Sequence, residues 1–505
     1  MTRFHVVMAR FEGRHRLLLS RMLAGFALAL PWLLTAGCTR SQRGVEAVSS
    51  ALARYRAENV EVATRYASAP AVAQLATTPP GEDEPAETPP SALREYLLHA
   101  LEHNPRVRQA IHEARAKAQR YAQVTALPDP VVKIKVLPEP VRTAEGDNYL
   151  VVGVSQKLPI PDKLDLAGQI ALEEARMAIE GLRGIRLEVV ARVKGAYYQL
   201  YVLDKSIAIT GSNEDRLRSL IEVARVQVAA GRRGQADVLR AQVELSQLRA
   251  DLIQLTQRRR SQAARLNDLL GRHQGVEVPS PPEFGVRAFD GAIEALLVRA
   301  EEANPRLERL RRRIERDRER VRLARLHYWP DFTLGFEWIV MEPRDAFEAP
   351  RNPQTGRRPV TPQMSEGGSD NWAVTLGFNV PIWRRRIEAG ISEAQQQVLA
   401  TQMEYAAARS MIFHEIEDAL ARVEAQRELA ELFERTIIPE AEQSYRVSQA
   451  GYSSGRTDFL DVIESWRKWT TFSIQYHRAV GELERSVADL ELAIGASLSD
   501  VGNEP

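Results

Sequence analysis

The 505-residue chain has a single cysteine, Cys38, so it cannot form an internal disulfide. Zinc ribbons, iron–sulfur clusters and dithiol redox motifs need at least two thiolates and are excluded as well. The 68 basic and 67 acidic residues nearly cancel, and no long basic block suits a nucleic acid. The nine histidines are scattered, without a His-Glu-x-x-His motif, a nucleophile elbow or a glycine-rich phosphate loop. We therefore predict that the protein is not an enzyme and has no cofactor, no metal site and no nucleic-acid partner.

The N-terminus carries several arginines and then an apolar run at 22–34 that is too short to span a membrane comfortably. Small residues and Cys38 follow this run. We predict that 1–37 is a lipoprotein signal peptide and that Cys38 becomes the acylated first residue. The alternative is an ordinary signal peptide with an incidental cysteine. Prolines and acids are dense within 38–93, which predicts a lipid-anchored tether rather than a packed domain.

The rest of the chain consists of two copies of one pattern. Asn104-Pro105 recurs 200 residues later as Asn304-Pro305 in similar surroundings. A Gly-x5-Asp-Val sequence begins at Gly231 and again at Gly455. Such a repeat at a fixed order indicates a duplicated structural unit. The predicted boundaries are a first repeat at 94–275, an inter-repeat linker at 276–290, a second repeat at 291–496 and a C-terminal tail at 497–505.

Within each repeat, helical spacing gives way to strict alternation and then to helical spacing again. The alternating segments predict β-hairpins at about 131–158 and 332–380, the second with an enlarged loop. A long helix follows each hairpin; the first, from about Lys163 to Val228, contains no proline and would be roughly 100 Å long. The chain then reverses at helical hairpin tips at about 229–237 and 452–461.

The four predicted strands have one apolar face and one small or polar face. Four strands cannot close a barrel, and open strand edges are not tolerated in hydrocarbon, so the chain must oligomerise. Four aromatic residues lie at strand ends, where a membrane-interface girdle belongs: Tyr328, Trp329, Trp372 and Trp383. The alternative for each of them is packing in a core.

The duplicated Asn-Pro helix, the hairpin and the long helices around a Gly-x5-Asp-Val turn resemble the outer-membrane factor (TolC-like) family, in its lipoprotein branch. The resemblance implies a mainly α fold with a transmembrane β-barrel portion, in which a trimer forms a 12-stranded barrel continued by an α-helical barrel. It implies an outer-membrane channel of a tripartite efflux system, a passive exit duct for small molecules or metal ions. The implied partners are two further copies of the chain, a periplasmic adaptor (membrane fusion) protein, an inner-membrane pump of the RND type and outer-membrane lipid.

Two alternative functions remain open at this point. The first is a type I protein-secretion conduit, which would share the architecture. The second is a lipid-anchored periplasmic coiled-coil scaffold, whose strands would form an ordinary soluble sheet. The nine-residue alternation of the second-repeat strands favours barrel strands over the scaffold.

The resemblance also implies a pore gate in the second reversal. Asp461 and Glu464 correspond to the acidic pair that constricts the pore, Tyr452 to the gate tyrosine and Arg456 to the gate arginine. Three copies of each carboxylate near one axis would attract cations. The local alternative is that Asp458 caps a helix in which Asp461 occupies the third position.

The two reversals together are expected to form the periplasmic tip that contacts the adaptor. The residues expected there are Gly231, Asp237, Arg240, Gly455 and Asp458. Arg240 stands where the second copy has an acid, so the two reversals are chemically unequal.

Overall fold

The structure is a computed structural model that describes Ser50 and residues 59–64, 66, 92–143, 146–231, 233–286, 292–342, 354–356 and 370–498. The predicted signal peptide, Cys38, most of the predicted tether, most of the predicted enlarged loop and most of the predicted C-terminal tail lie outside these residues. The chain divides into two compact units. Among the described residues, the first unit contains Ala116–Ala175 and Arg313–Ala400. The second unit contains all the other described residues.

The first unit contains one antiparallel sheet of four strands in the order β1-β2-β3-β4. The strands are β1 at Val131–Thr143, β2 at Gly146–Leu158, β3 at Phe332–Glu342 and β4 at Asn371–Phe378. The hairpins of the two sequence copies pair through β2 and β3, from Asp147 opposite Glu342 to Leu158 opposite Phe332. Within the described residues, β1 and β4 are the two edges of this sheet.

The strand register separates the sheet into an apolar face and a polar face. One cross-strand row of the apolar face consists of Ile134, Val152, Trp338 and Trp372. The neighbouring row of the other face consists of Lys133, Gly153, Glu337 and Ala373. The apolar face is uncovered within the described chain, since Trp372 is 65% exposed and Ile134 is 68% exposed. The alternative prediction, that Trp372 packs in the core of a single chain, is therefore wrong.

Helices make up most of the described chain. They are α1 Ala92–His103, α2 Pro105–Thr125, α3 Pro161–Ala229, α4 Gln235–Leu270, α5 Ile293–Ala303, α6 Pro305–Arg325, α7 Arg384–Leu432, α8 Ile438–Ser453 and α9 Phe459–Ile494. The 69 residues of α3 make a helix about 100 Å long. Across the described ranges, none of the helices combines the length and apolarity that a membrane crossing requires.

The second long helix is interrupted, which the sequence analysis did not anticipate. Between α7 and α8 the chain forms a π-helical turn at Phe433–Ile437. Pro439 stands in the first turn of α8. Proline has no N–H and its ring displaces the preceding carbonyl, so a helix that contains it must change its hydrogen-bond pattern. The single continuous helix of the first copy therefore corresponds to α7 and α8 in the second.

The duplicated Asn-Pro sequence forms the same latch in both copies. The Oδ1 atom of Asn104 and that of Asn304 each accept from the N–H two residues later, at 2.9 and 2.8 Å. The side-chain amides donate 2.7 Å bonds to the last turns of the return helices, from Asn104 to Leu269 O and from Asn304 to Ala493 O. Both asparagines are buried. Each one therefore caps a helix and ties it to the end of another, which confirms the internal duplication.

Candidate functional site

Two glycines allow the long helices to reverse direction within the second unit. Gly231 follows α3 with φ +71°, and Gly455 follows α8 with φ +80°. L-residues rarely adopt this left-handed region, whereas glycine has no Cβ that clashes there. A Cβ built at either position would meet nothing within 4 Å. These two glycines are therefore needed for backbone conformation rather than for close packing.

One hydrophobic cluster underlies both reversals. It contains Leu217, Leu220, Ile221, Ala224, Ala241, Leu248, Tyr445, Tyr452, Phe459, Val462, Ile463 and Trp466. Tyr452 and Phe459, which flank the second reversal, are fully buried, with ring centroids 5.4 Å apart. The Nε1–H group of buried Trp466 donates to Asn213 Oδ1 at 3.0 Å. Because α3, α4, α8 and α9 all contribute, the two reversals share one core, which we call the tip cluster.

Tyr452 lies inside the tip cluster. Its hydroxyl donates to Oδ2 of Asp237, across 3.4 Å, and Asp237 is only 7% exposed. Burial, with the neighbouring Asp237 charge, raises the pKa of Tyr452 to about 12, so the phenol stays protonated and remains a donor. The predicted gate tyrosine therefore joins the second reversal to a carboxylate of the first.

Arg233 is a site residue that the sequence analysis missed. Its guanidinium donates to Thr457 O at 2.6 Å and lies 3.6 Å from Oδ1 of Asp458. The same group stands 5.3 Å from the ring centroid of Tyr452. Arg233 therefore clamps the first reversal onto the second. No sequence spacing indicates the role of Arg233, because the residues that it contacts are more than 200 positions away in sequence.

The acidic pair proposed for the gate lies at the start of α9. Asp458 is the N-cap of α9, and its carboxylate accepts from the N–H of Phe459 at 2.8 Å. Asp461 then occupies the third helical position, so the capping interpretation is confirmed for Asp458. Asp461 and Glu464 are both exposed. Glu464 pairs with Lys468 at 2.9 Å, and this hydrogen bond lowers the pKa of the glutamate, which is therefore charged at neutral pH.

The remaining predicted residues have local partners. Arg456 is exposed, and its Nε donates to the hydroxyl of Ser454 at 3.1 Å. Arg240 is exposed and approaches Asp237 at 3.9 Å, one helical turn apart. A further link joins α4 to α9, where Nε of Arg467 donates to Glu244 at 2.9 Å. No cluster of His, Cys, Asp or Glu suited to a metal ion occurs among the residues that the structure describes.

Residues 97–272 and 296–496 match the outer membrane efflux protein family. The chain belongs to this family. It is an outer-membrane channel component of a tripartite efflux system, located in the bacterial outer membrane with a periplasmic helical part. The family consists of channels rather than enzymes. The outer-membrane factor architecture predicted from the duplicated pattern is confirmed.

Curated relatives are similar in sequence, and solved structures are similar in fold. The cobalt-zinc-cadmium resistance protein CzcC of Cupriavidus metallidurans is 22% identical over 335 residues, covering 64% of this chain and 72% of its own. Nodulation protein T of Rhizobium leguminosarum bv. trifolii is 22% identical over 61% of this chain and 62% of its own. The fold is similar to that of the outer-membrane channel OprN, with a TM-score of 0.65 and 18% identity over 80% of this chain and 89% of OprN. It is also similar to that of CusC, with a TM-score of 0.66 and 14% identity over 83% of this chain and 99% of CusC.

Proposed function

We propose that three copies of the chain form one passive exit duct, with a shared 12-stranded barrel built from their sheets. The observation that carries this proposal is the four-stranded sheet with an uncovered apolar face and edge strands β1 and β4. In hydrocarbon, unpaired N–H and C=O groups on those edges are too costly, so each edge must pair with a neighbouring copy. The apolar face then meets lipid and the face that carries Lys133 and Glu337 meets water.

Three copies are the number that the outer-membrane factor resemblance implies, and the size of the lumen argues against two. Two copies would give eight strands, and the interior of an eight-stranded barrel is filled by its own side chains. Three copies give twelve strands and leave room for a water-filled passage. The purified protein in detergent should therefore have a mass three times that of one chain, after correction for bound detergent. A stable monomer or dimer that still conducts ions would contradict the arrangement.

We propose that Asp461 and Glu464 narrow the periplasmic end of this duct. Their exposure, the charge on Glu464 and the packing of α9 into the tip cluster support this role. Threefold symmetry would place three copies of each carboxylate around one axis, where they attract cations and hold water. Tyr452 and Arg233 would act indirectly, by fixing the position of α9 against the first reversal. Arg456 is the nearby cation that we assign to the same gate.

Single-channel conductance in planar bilayers tests the gate. The variant Asp461→Ala/Glu464→Ala should open more widely and lose cation selectivity. Glu415→Ala/Asp418→Ala is a matched control, because both residues are exposed on α7 with the same spacing and Asp418 pairs with Arg422 at 3.0 Å, as Glu464 pairs with Lys468. If both variants conduct like the wild type, or both change equally, the carboxylates at the start of α9 are not the gate.

We propose that the exposed parts of the two reversals dock onto a periplasmic adaptor fed by an inner-membrane pump of the RND type. The contact surface would include the backbone at Gly231 and Gly455, the side chains of Arg240 and Asp458, and the stretch of α4 that begins at Asp237. Divalent metal cations are the cargo that the acidic pair and the likeness to a cobalt-zinc-cadmium resistance protein favour. A strain that lacks the channel should lose tolerance to zinc, cobalt and cadmium but keep its tolerance to organic drugs. The opposite result would indicate organic drugs as the cargo.

We also propose that Cys38 is acylated and anchors the mature chain, although it lies outside the described residues. Mass spectrometry of the mature N-terminus should detect a lipid-modified cysteine. Cys38→Ser should yield a chain without that mass, and an unmodified N-terminus elsewhere in the wild type would contradict the proposal.

A further inference from the structure

Three consecutive arginines follow the sheet at the start of α7. Arg384, Arg385 and Arg386 are all exposed, and they come immediately after Trp383. In the part of the chain that the structure describes, no hydrogen bond or ion pair engages their side chains. We call these three residues the arginine patch.

The arginine patch adjoins exposed apolar residues. Val380, Ile382 and Trp383 are 63%, 66% and 70% exposed, and they connect β4 to α7. Along the chain, the uncovered apolar face of β4 is thus followed by a tryptophan and then by three cations. This order matches a membrane–water interface, where tryptophan lies at the level of the headgroups and cations lie just outside the hydrocarbon.

The corresponding connection of the first copy has its cations neutralised. Lys157 and Lys163 lie 3.3 and 2.7 Å from the carboxylate of Asp331. The first turn of α3 also carries an acid, Asp162, whereas the first turn of α7 carries none. The two copies therefore differ in the charge of the segment that leaves the sheet, and only the second keeps an uncompensated positive charge.

Neither helix stability nor solubility of an ordinary surface explains the arginine patch. Cations in the first turn of a helix oppose its dipole and destabilise it. Elsewhere in the same unit, arginines of α6 pair with acids one turn away, as Arg318 does with Glu315 at 2.6 Å and Arg322 with Glu319 at 2.8 Å. Glu388 stands one turn after Arg384 and Arg385, but among the described residues no ion pair joins it to the arginine patch, so the guanidinium groups are available to a partner outside the chain.

We propose that the arginine patch binds the phosphate groups of anionic phospholipids in the periplasmic leaflet of the outer membrane. This inference rests on the proposed barrel, because it requires the apolar face of the sheet to meet lipid. Guanidinium groups recognise phosphate oxygens with paired charge-assisted hydrogen bonds. Each basic residue beside an anionic lipid surface contributes about a fivefold preference, so three acting independently would give about a hundredfold, and about tenfold is the least that the patch should give.

Quenching of tryptophan fluorescence by brominated lipids tests this preference on the full-length protein in vesicles. Trp383 is next to the arginine patch and exposed, and replacing Trp329, Trp338 and Trp372 by phenylalanine in every variant leaves it as the tryptophan of the sheet region that reports the surrounding lipids. Brominated phosphatidylglycerol should compete at least about tenfold better than brominated phosphatidylcholine for the wild type. For Arg384→Gln/Arg385→Gln/Arg386→Gln the ratio should fall to about one.

A control variant removes the same number of charges elsewhere. Arg258→Gln/Arg260→Gln/Arg265→Gln changes three exposed arginines of α4 and should keep the wild-type ratio. An equal ratio in the wild type and the patch variant, or an equal loss in the control, would overturn the proposal. Loss of the preference on adding millimolar inorganic phosphate would also overturn it, in favour of a simple anion site.

Conductance in pure phosphatidylcholine bilayers separates this proposal from the barrel itself. If the wild type conducts there but shows no preference for phosphatidylglycerol, the barrel stands and the lipid site falls. If the wild type never inserts into any bilayer, both fall together.

Discussion

Replacing Arg233 by glutamine should loosen the contact between the two reversals. The change removes a charge-assisted hydrogen bond to Thr457 O at 2.6 Å, which contributes about 1.5–3 kcal/mol. It also removes the contact with the Tyr452 ring, about 0.5–1 kcal/mol, and an ion pair with a mostly exposed Asp458 that contributes little. Since glutamine can retain part of the hydrogen bonding, we expect a net loss of about 2 kcal/mol in the free energy of local opening.

Amide hydrogen exchange measures this opening. A loss of about 2 kcal/mol should accelerate exchange about 30-fold in peptides that span 452–463, because each 1.4 kcal/mol changes an opening constant tenfold. Arg240→Gln is the control, since Arg240 is a neighbouring exposed arginine that lies 3.9 Å from Asp237. It should change exchange less than about threefold. Unchanged exchange in Arg233→Gln, or equal acceleration in both variants, would refute the clamp.

Three further predictions concern the same unit. Lys194→Met should lower the free energy of unfolding by about 3–5 kcal/mol, because it removes a 2.6 Å ion pair and leaves Glu491 charged and buried. The double variant Lys194→Met/Glu491→Leu should recover most of this lost stability, as measured by thermal unfolding. Burial lowers the pKa of His477 from 6.5 to about 4, so at falling pH the unfolded state binds a proton before the folded state does. The free energy of unfolding should therefore fall as pH drops from about 6.5 towards 4, and His477→Gln should weaken this dependence on pH. Gly495→Ala should lower the apparent Tm more than Gly455→Ala, because both have positive φ but only Gly495 would place a Cβ within 3 Å of other backbone atoms.

Much of the fold could be predicted because the duplication leaves a periodic record. The alternation in β3 and β4 and the Asn-Pro sequences belong to local rules that act within one turn or one strand. The register that joins β2 to β3 could not be predicted, since the pairing residues are nearly 200 positions apart. The π-helical turn before Pro439 had a visible signal, the proline itself, which the search for helical spacing passed over.

The site was predicted less completely than the fold. Asp458 as a helix cap follows from local sequence, whereas the burial of Tyr452 and the contacts of Arg233 depend on how four helices pack together. A tyrosine beside a glycine turn gives no indication of whether it faces solvent or a core. Likewise, the local sequence around Arg233 does not indicate whether its side chain is solvated or clamps the two reversals together.

The duplication explains why a gate would be confined to the second reversal. Asp237 and Asp461 occupy equivalent positions after Gly231 and Gly455, yet Asp237 is buried and Asp461 is exposed. The second copy places Tyr452 in the shared core where the first copy has Val228, and the hydroxyl of Tyr452 then covers Asp237. One carboxylate of the pair is thereby used to hold the reversals together. Asp461, its counterpart in the second copy, stays exposed, as the proposed gate requires.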